Sequence, residues 1–305
     1  MSFSVAPIDP SLVQYIVPLG EMGPWAHTLP TDHIYFYHQI GLPAASRPVV
    51  APASGTVAYV LSPGSNGDMK VGIRVNGTFL YYFDHVILAP GIGVGTALQA
   101  GAAVGTSTGI AFDFAVVNYG QRVGFIRPER YGGIGGDTMW TDAPLKYFTE
   151  PVRSQLYAKV RRTGPDLDGR INYDVDGTLS GNWFAEDLPP TMSQGGDMGS
   201  GTRQLAFARD AWHPDRLRVS IGGLGMTGMY GVPPETGDFS GVTPASGVVV
   251  YRLLNTGEPG GPPGTSQLGL LVVQMLDPQR IRIELVPDQL ARTASFSANA
   301  QFYVR

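Results

Sequence analysis

Glycine and proline constrain the fold of this sequence more than any other feature. The chain of 305 residues contains 41 glycines and 25 prolines, and both residue types destabilise the interior of a helix. Long helices are therefore excluded as the main structure. Hydrophobic residues make up 43% of the chain and charged residues 15%, so there are enough apolar side chains for folded cores. We predict an all-β protein that is rich in loops.

Charge and cysteine content exclude several classes of partner and site. The net charge is −4 and no long run of either sign occurs, which argues against nucleic acid as a partner. The absence of cysteine excludes disulfides, thiolate metal sites and cysteine nucleophiles. Residues 86–112 form a long uncharged stretch, but its proline and six glycines argue against a membrane span. The composition is typical of a secreted or periplasmic bacterial protein, and we expect any leader peptide to be missing from the N-terminus.

The first half of the chain contains short segments rich in β-branched and aromatic residues. Asn76-Gly77 lies between two of them and is a strong signal for a β-hairpin. Residues 145–159 read as a helical or extended connector, after which the sequence becomes rich in Gly and Asp. We therefore predict two domains, residues 1–162 and residues 163–305. The predicted strands of the first domain are residues 47–60, 70–75, 78–86 and 110–117.

The second half repeats the same pattern of short strands between Gly, Pro and Asp loops. This spacing favours a second antiparallel domain, either a β-barrel or a β-sandwich. A tight turn at Leu276-Asp277-Pro278 predicts that residues 268–275 pair with residues 280–285. The predicted strands are residues 203–208, 216–221, 247–254, 268–275, 280–285 and 295–304.

The order of motifs in residues 15–125 resembles the lysostaphin-like zinc endopeptidases, which cut peptidoglycan cross-bridges. Val49–Val57 matches the strand signature V-x-A-x-x-x-G-x-V, and a strand ending in FDHV follows. Gly95–Gly105 matches the glycine-rich segment that precedes the last motif of that family. The resemblance implies an antiparallel β-sandwich for the N-terminal domain.

The resemblance also assigns roles to individual positions. His33 falls on the first zinc-ligand position, and His85 falls on that of a catalytic, assisting histidine. Tyr37 stands where the family has a carboxylate ligand. Ala111 and Asp113 replace the final His-x-His, so two of the three zinc ligands are changed and one assisting histidine is missing. The family reaction therefore requires a rearranged site.

Two interpretations of the remaining residues stay open. In the first, His33, His85 and Asp113 meet at one end of the sheet and hold zinc or another divalent metal, with His33 and Asp113 as ligands. In the second, no metal is bound and the histidines are hydrogen-bonded side chains in an inherited groove. The walls of that binding groove would be Tyr35, Tyr37, Phe83 and Phe112.

The sequence Gly181-Asn182-Trp183 resembles the Gly-x-Trp motif that opens the first strand of lipocalin-type barrels. In such barrels the indole closes one end and a small apolar ligand can occupy the interior. The alternative is that Trp183 is a core residue of an unrelated β-sandwich.

Three functions remain open at this stage. The first is a secreted pseudoenzyme, related to cell-wall peptidases, that binds a glycan, a peptide or another polymer without cutting it. The second is a metal-dependent hydrolase with a rearranged site of His33, His85 and Asp113. The third is a carrier of a small apolar ligand through the C-terminal barrel.

Overall fold

The computed structural model of the protein describes residues 1–24, 26–38, 47–61, 67–107, 109–131, 137–188, 203–256, 261–262 and 264–305. These residues form two compact units. Unit 1 comprises Met1–Leu19, Asp32–Val123 and Trp140–Gly169. Unit 2 comprises Gly20–Thr31, Gly124–Met139 and Arg170–Arg305.

The predicted all-β class is confirmed, because antiparallel strands dominate both units. The predicted boundary near Arg162 differs from the division into compact units. The chain leaves unit 1 for the last time after Gly169, and two earlier segments already belong to unit 2. Independent folding of residues 1–162 and 163–305 stays a prediction. In the described part of the chain, no helix is long and apolar enough to cross a membrane.

Unit 1 is built around an antiparallel sheet of ten strands. Its main order is β1-β2-β9-β6-β5-β4-β7, with β10 pairing to β9 and with β3 and β8 joined to the edge of β6. The strands are β1 (Val13–Val17), β2 (Ile34–His38), β3 (Arg47–Val50), β4 (Gly55–Leu61), β5 (Met69–Asn76), β6 (Phe79–Leu88), β7 (Ala97–Leu98), β8 (Ala103–Ser107), β9 (Ala111–Asn118) and β10 (Thr141–Asp142). The helix α1 (Val152–Tyr157) lies within the predicted connector.

Local turn signals explain the pairing of β5 with β6. Asn76 pairs with Phe79 across the turn, and the Asn76 side chain accepts a hydrogen bond from the Thr78 N–H at 2.9 Å. The predicted hairpin at Asn76-Gly77 is present. The segment predicted as one strand over residues 47–60 is instead two strands, β3 and β4, with residues 51–54 between them.

One face of the central strands forms an aromatic core. Phe36 stacks on Phe112 with ring centroids 5.1 Å apart, and Phe83 stacks on Phe114 at 5.3 Å. All four side chains are fully buried. The expectation that Phe83 and Phe112 line a binding groove is therefore wrong. Alternation along each strand turns these rings to the core face, whereas Asp113, the neighbour of Phe112, faces the other way.

Unit 2 contains a closed antiparallel barrel in which consecutive strands are neighbours and the last strand pairs with the first. The barrel alternative is therefore the observed one. The predicted pairing of residues 268–275 with 280–285 is present. The strands are β11 (Gly181–Ala185), β12 (Gln204–Arg209), β13 (Leu217–Ile221), β14 (Gly228–Gly231), β15 (Val248–Leu254), β16 (Gln267–Asp277), β17 (Arg280–Val286) and β18 (Gln301–Val304).

Trp183 is fully buried in unit 2. Its indole N–H donates to the Leu179 carbonyl at 2.9 Å, and the Arg305 guanidinium lies 4.2 Å from its ring centroid. Arg305 is itself buried and donates to the Ser180 carbonyl at 2.6 Å. The indole is thus held between the segment before β11 and the residue after β18, which packs it where the barrel closes.

Candidate metal centre

A row of three polar residues crosses the centre of the unit 1 sheet. Tyr35 on β2 is the cross-strand partner of Asp113 on β9, and Asp113 is also the partner of Asp84 on β6. Directly opposed residues have Cβ atoms about 5 Å apart and point to the same face. The three side chains therefore lie on the face opposite the aromatic core, with Asp113 in the middle.

A β-bulge adds His85 to this polar face. Met69 pairs with Val86 and Val71 pairs with Phe83, so two steps along β5 correspond to three along β6. His85 lies in the extra position with a φ of 62°, in the left-handed region that non-glycine residues rarely adopt. Strict alternation would turn His85 toward the core, like Phe83. The bulge re-aims its imidazole toward Asp113.

The two imidazoles converge on a single carboxylate oxygen. Nε2 of His33 lies 3.3 Å from Oδ2 of Asp113, and Nε2 of His85 lies 3.8 Å from the same oxygen. One ligand atom from each of Asp84, His85 and Asp113 also lies within 4.8 Å of the others. The structure thus brings together all three residues that the sequence assigned to the site. Their roles as ligand or catalytic residue stay predictions.

The opposite nitrogen of each ring is held by another carboxylate. Nδ1 of His33 lies 3.0 Å from Oδ1 of Asp32, and Nδ1 of His85 lies 2.8 Å from Oδ2 of Asp68. The Tyr82 hydroxyl donates to Asp32 at 2.9 Å and fixes that carboxylate in turn. A neutral histidine that donates from Nδ1 presents the lone pair of Nε2, so both rings are oriented as metal-binding histidines usually are.

Burial and charge together set the protonation of the cluster. Burial raises the pKa of Asp113, and the two histidines oppose this only in part. Burial lowers the pKa of His33, but Asp113 and Asp32 outweigh it and bring the pKa above its ordinary value. The pKa of His85 is also raised, because Asp113 and Asp68 together exceed the effect of burial. Without a metal ion, this site therefore attracts protons to both imidazoles.

The charges near the imidazoles favour a multivalent cation. Four aspartates surround the two rings, and the nearby cation that acts on both His33 and Asp113 is Lys70. With neutral histidines the local formal charge is −3, which a bound cation would offset. In a tetrahedral zinc site with bonds of about 2.1 Å, neighbouring ligand atoms lie about 3.4 Å apart. The separations of 3.3 Å and 3.8 Å fit each histidine paired with Asp113, and the three residues that all lie within 4.8 Å of one another are Asp84, His85 and Asp113. The four aspartates are Asp32, Asp68, Asp84 and Asp113.

The ligand set of the lysostaphin-like family is not reproduced at its own positions. Tyr37, at the carboxylate position, stacks its ring on Tyr15 with centroids 4.6 Å apart. Its cross-strand partner is Ala111, which has no polar side chain. The group whose ligand atoms all lie within 4.8 Å of one another is Asp84, His85 and Asp113, and the assignment of His33 as a ligand stays a prediction.

Of the four aromatic residues predicted to line a groove, Tyr35 and Tyr37 are the two that lie outside the core. Tyr35 and Tyr37 lie on the polar face of β2 and are partly exposed. Their rings are tilted at 50° with centroids 6.3 Å apart. They border the His33 side of the cluster, and the half-exposed ring of His85 gives access to its other side.

Sequence reasoning missed the residues that support the histidines. Asp32 is adjacent to His33 in the sequence, so it could have been predicted as a hydrogen-bond partner of that histidine. Asp68 is 17 residues from His85, and Tyr82 is 50 residues from Asp32. Those contacts depend on strand pairing, and no local pattern marks them.

No family model and no curated protein sequence matches this chain. Thirty chains of solved structures are similar to part of it. Csd3 of Helicobacter pylori is 16% identical over 48% of this chain and 35% of that chain, with a TM-score of 0.33. A zinc-containing peptidase of Vibrio cholerae is 18% identical over 40% and 39%, also with a TM-score of 0.33. A mutant of the catalytic domain of the prophage-encoded protein EnpA of Enterococcus faecalis is 19% identical over 39% and 78%, with a TM-score of 0.25.

The matched region spans about a third of the Csd3 chain and two fifths of the Vibrio cholerae peptidase. Because these TM-scores and identities are low, the roles of individual residues rest on the geometry of this chain.

Proposed function

We propose that unit 1 binds one divalent metal ion, such as zinc, at the cluster of His33, His85, Asp113 and Asp84. The observation that carries this proposal is the convergence of both Nε2 atoms on Oδ2 of Asp113 while both Nδ1 atoms face other carboxylates. Supporting carboxylates of this kind hold the neutral tautomer that coordinates metals.

We further propose that the site serves a metal-dependent hydrolase that acts on a peptide or glycan polymer. Three protein ligands leave an open position, and a bound metal ion would supply a water of lowered pKa there. Asp84 lies beside the ligands and has a carboxylate suited to accept a proton. His85 is half-exposed, so a substrate can reach the cluster from solvent. A polymer substrate of this kind, together with the cysteine-free composition, favours a secreted or periplasmic location.

Polymer binding without cleavage is the second candidate. The observation in its favour is that the carboxylate and the histidine that the resemblance implies at positions 37 and 111 are absent, since a tyrosine stacked on Tyr15 and an alanine are found there. In that case Tyr35 and Tyr37 would contact the polymer and the metal ion would have a structural role.

Metal content tests the proposal directly. Purified protein is stripped with a chelator, dialysed against zinc and measured by elemental analysis. We expect one zinc per chain, and we expect His33→Ala, His85→Ala and Asp113→Asn each to lower the affinity by more than about 100-fold, since loss of a ligand exceeds loss of its supporting hydrogen bond. His213→Ala, in unit 2, is the matched histidine control and should bind normally.

The result also separates the two candidates. Chelator-sensitive cleavage of a cell-wall or peptide polymer by the zinc-loaded protein supports the hydrolase. Zinc binding and polymer retention without cleavage support the second candidate. Failure of the wild-type protein to retain zinc above the level of the triple variant overturns the metal site itself.

A further inference from the structure

Unit 2 contains a cavity of about 300 Å³ at one end of the barrel. It lies where β17 ends and β18 begins, and the loop between β13 and β14 forms the remaining wall. Arg305 and the Trp183 indole lie at the other end of β18. Every residue that lines the cavity belongs to unit 2, so an inference drawn from it does not depend on the metal site proposed for unit 1.

Three polar side chains line this cavity, those of Glu284, Asn299 and Gln301. The Ser297 hydroxyl donates to Oε1 of Glu284 at 2.5 Å, and the Ser297 N–H donates to Oε2 at 2.7 Å. These hydrogen bonds hold the pKa of Glu284 below its ordinary value, so the group is a charged carboxylate that only accepts. Asn299 and Gln301 are exposed, and their carboxamides make no hydrogen bond within the described part of the chain. The cavity therefore offers one fixed acceptor and two carboxamides.

The apolar part of the lining includes a leucine in an unusual backbone conformation. Leu224 has a φ of 58° and is followed by Gly225 with a φ of 83°, so two consecutive residues are left-handed. A leucine avoids this region because its Cβ crowds the following carbonyl oxygen. Strained residues of this kind cluster at ligand-binding sites. Together with Leu285 and Pro287, Leu224 gives the cavity an apolar surface beside its polar groups.

We propose that this cavity binds a single ring of a neutral sugar, either a free monosaccharide or the terminal ring of a glycan. Both sources present the same chemistry, which is a ring with apolar C–H groups and with hydroxyls that donate and accept hydrogen bonds. Ligand cavities range from about 300 to about 1,000 Å³. The volume of this cavity lies at the lower limit of that range, so it suits one ring better than a longer segment.

Hydrogen-bonding capacity favours a polyhydroxyl ligand. Sugar hydroxyls can donate to the Glu284 carboxylate, and they can both donate to and accept from the carboxamides of Asn299 and Gln301. Leu224 and Pro287 can pack against the C–H groups of the ring. One small ligand thus supplies a partner of the right type for the polar and for the apolar part of the lining.

Two other classes of ligand fit the same lining less well. A cationic ligand needs a carboxylate without a counter-charge, but the charge of Arg282 already acts on Glu284, and Ser297 donates to both of its oxygens. A wholly apolar ligand would remove water from three polar side chains without replacing their hydrogen bonds, which costs free energy. A neutral polar ligand avoids both costs.

Saturation-transfer NMR on the full-length protein tests this inference. The sugar probes are glucose, N-acetylglucosamine and their β-1,4-linked tetramers, with n-butylamine as the cationic probe and toluene as the apolar probe. We expect transfer to at least one monosaccharide and, in the matching tetramer, to one terminal ring only. Asn299→Ala and Gln301→Ala should each weaken binding about 5-fold, the usual effect of losing one neutral hydrogen bond. Gln274→Ala removes a carboxamide from β16, outside the cavity lining, and should bind normally.

Leu224 provides a comparison of binding with stability. Leu224→Gly removes part of the apolar lining and also relieves the left-handed φ of 58°. We expect weaker sugar binding without a lower free energy of unfolding in urea. A leucine with only a structural role would give the opposite result, which is unchanged binding and a less stable unit 2.

Several results would overturn the inference. These are no transfer to any of the sugars, unchanged binding in all three cavity variants, and displacement of the sugar by n-butylamine or toluene. Equal transfer to all rings of a tetramer would refute a site for one ring. In isotope-labelled wild-type protein the side-chain amide signals of Asn299 and Gln301 should shift when the sugar is added, and this readout does not depend on the folding of any variant. Removal of metal with a chelator should leave sugar binding unchanged, so the two proposals can fail separately.

Discussion

Replacement of Glu21 by glutamine should stabilise unit 2 at high pH. Oε2 of Glu21 accepts a hydrogen bond from the indole N–H of Trp212 at 2.7 Å. Asp210 lies nearby and is paired with the fully buried Arg218, with Nε 2.7 Å from Oδ2. Burial and the charge of Asp210 raise the pKa of Glu21 to about 7. The folded protein therefore favours the protonated form of this side chain.

The size of the effect follows from the difference in proton affinity. The pKa of Glu21 is 4.5 as the unperturbed value and about 7 in the folded chain. Each pKa unit corresponds to about 1.4 kcal/mol, so the difference is worth at most about 3.5 kcal/mol. Below the pKa of Glu21 in the unfolded chain, this side chain is protonated in both states, and its full contribution to the free energy of unfolding is present. As the pH rises toward 7, Glu21 loses its proton first in the unfolded state. The unfolded state is thereby stabilised, and the free energy of unfolding falls.

Glutamine keeps an acceptor for Trp212 and carries no charge. We expect Glu21→Gln to raise the free energy of unfolding by up to about 3 kcal/mol near pH 8 and to change it by less than about 0.5 kcal/mol near pH 4. Urea denaturation followed by tryptophan fluorescence at both pH values measures this difference. Glu235→Gln, at an exposed carboxylate, is the control. An equal effect at both pH values, or destabilisation at high pH, refutes the assignment of a buried, protonated Glu21.

Substitutions at three further positions test packing in urea unfolding experiments. His85→Gly should abolish metal binding yet cost little stability, because it relieves the left-handed φ of 62°, whereas His85→Val should lose more than about 1 kcal/mol. Gly105→Ala should lose about 2 kcal/mol, since its Cβ would lie 2.1 Å from the Ile87 carbonyl oxygen. Arg305→Met should lose about 2–4 kcal/mol from unit 2, because it uncovers Trp183 and leaves buried carbonyls without a donor. Unchanged midpoints for Gly105→Ala or Arg305→Met would contradict these contacts.

The parts of the fold that sequence predicted correctly are those with local causes. Asn76-Gly77 predicted the position of the β5–β6 hairpin correctly, although the two turn residues are Gly77 and Thr78 and none of these three residues has a positive φ. Leu276-Asp277-Pro278 predicted the β16–β17 pair because Asp and Pro are frequent turn residues. In both cases the signal and the contact lie within a few residues of each other. The last predicted strand, residues 295–304, begins only at Gln301, where pairing with β17 starts.

The unit boundaries could not be predicted in the same way. Gly20–Thr31 belongs to unit 2 although it lies between β1 and β2 of unit 1. Its link is a contact between Glu21 and Trp212, which are 191 residues apart. A contact over this sequence distance cannot be predicted from the composition along the chain. Only the last transition, after Gly169, falls near the predicted boundary at Arg162.

The orientation of side chains at the site shows why its residues were only partly predicted. Phe83, Asp84 and His85 are consecutive, and simple alternation would place Phe83 and His85 on one face and Asp84 on the other. The bulge breaks this rule and brings His85 to the face of Asp84. A bulge depends on how two strands are paired, so the sequence of β6 alone does not reveal it.

Strand register supplies the rest of the site at once. Two pairings form the row: Tyr35 with Asp113 between β2 and β9, and Asp113 with Asp84 between β9 and β6. A shift of one residue would exchange the faces and place Phe112 among the imidazoles. The aromatic core on the other face resists such a shift, because it would bring Asp113 into contact with buried rings at a large desolvation cost. The core thus holds the register, and the register brings the phenol, both carboxylates and the bulged histidine to one place on the polar face.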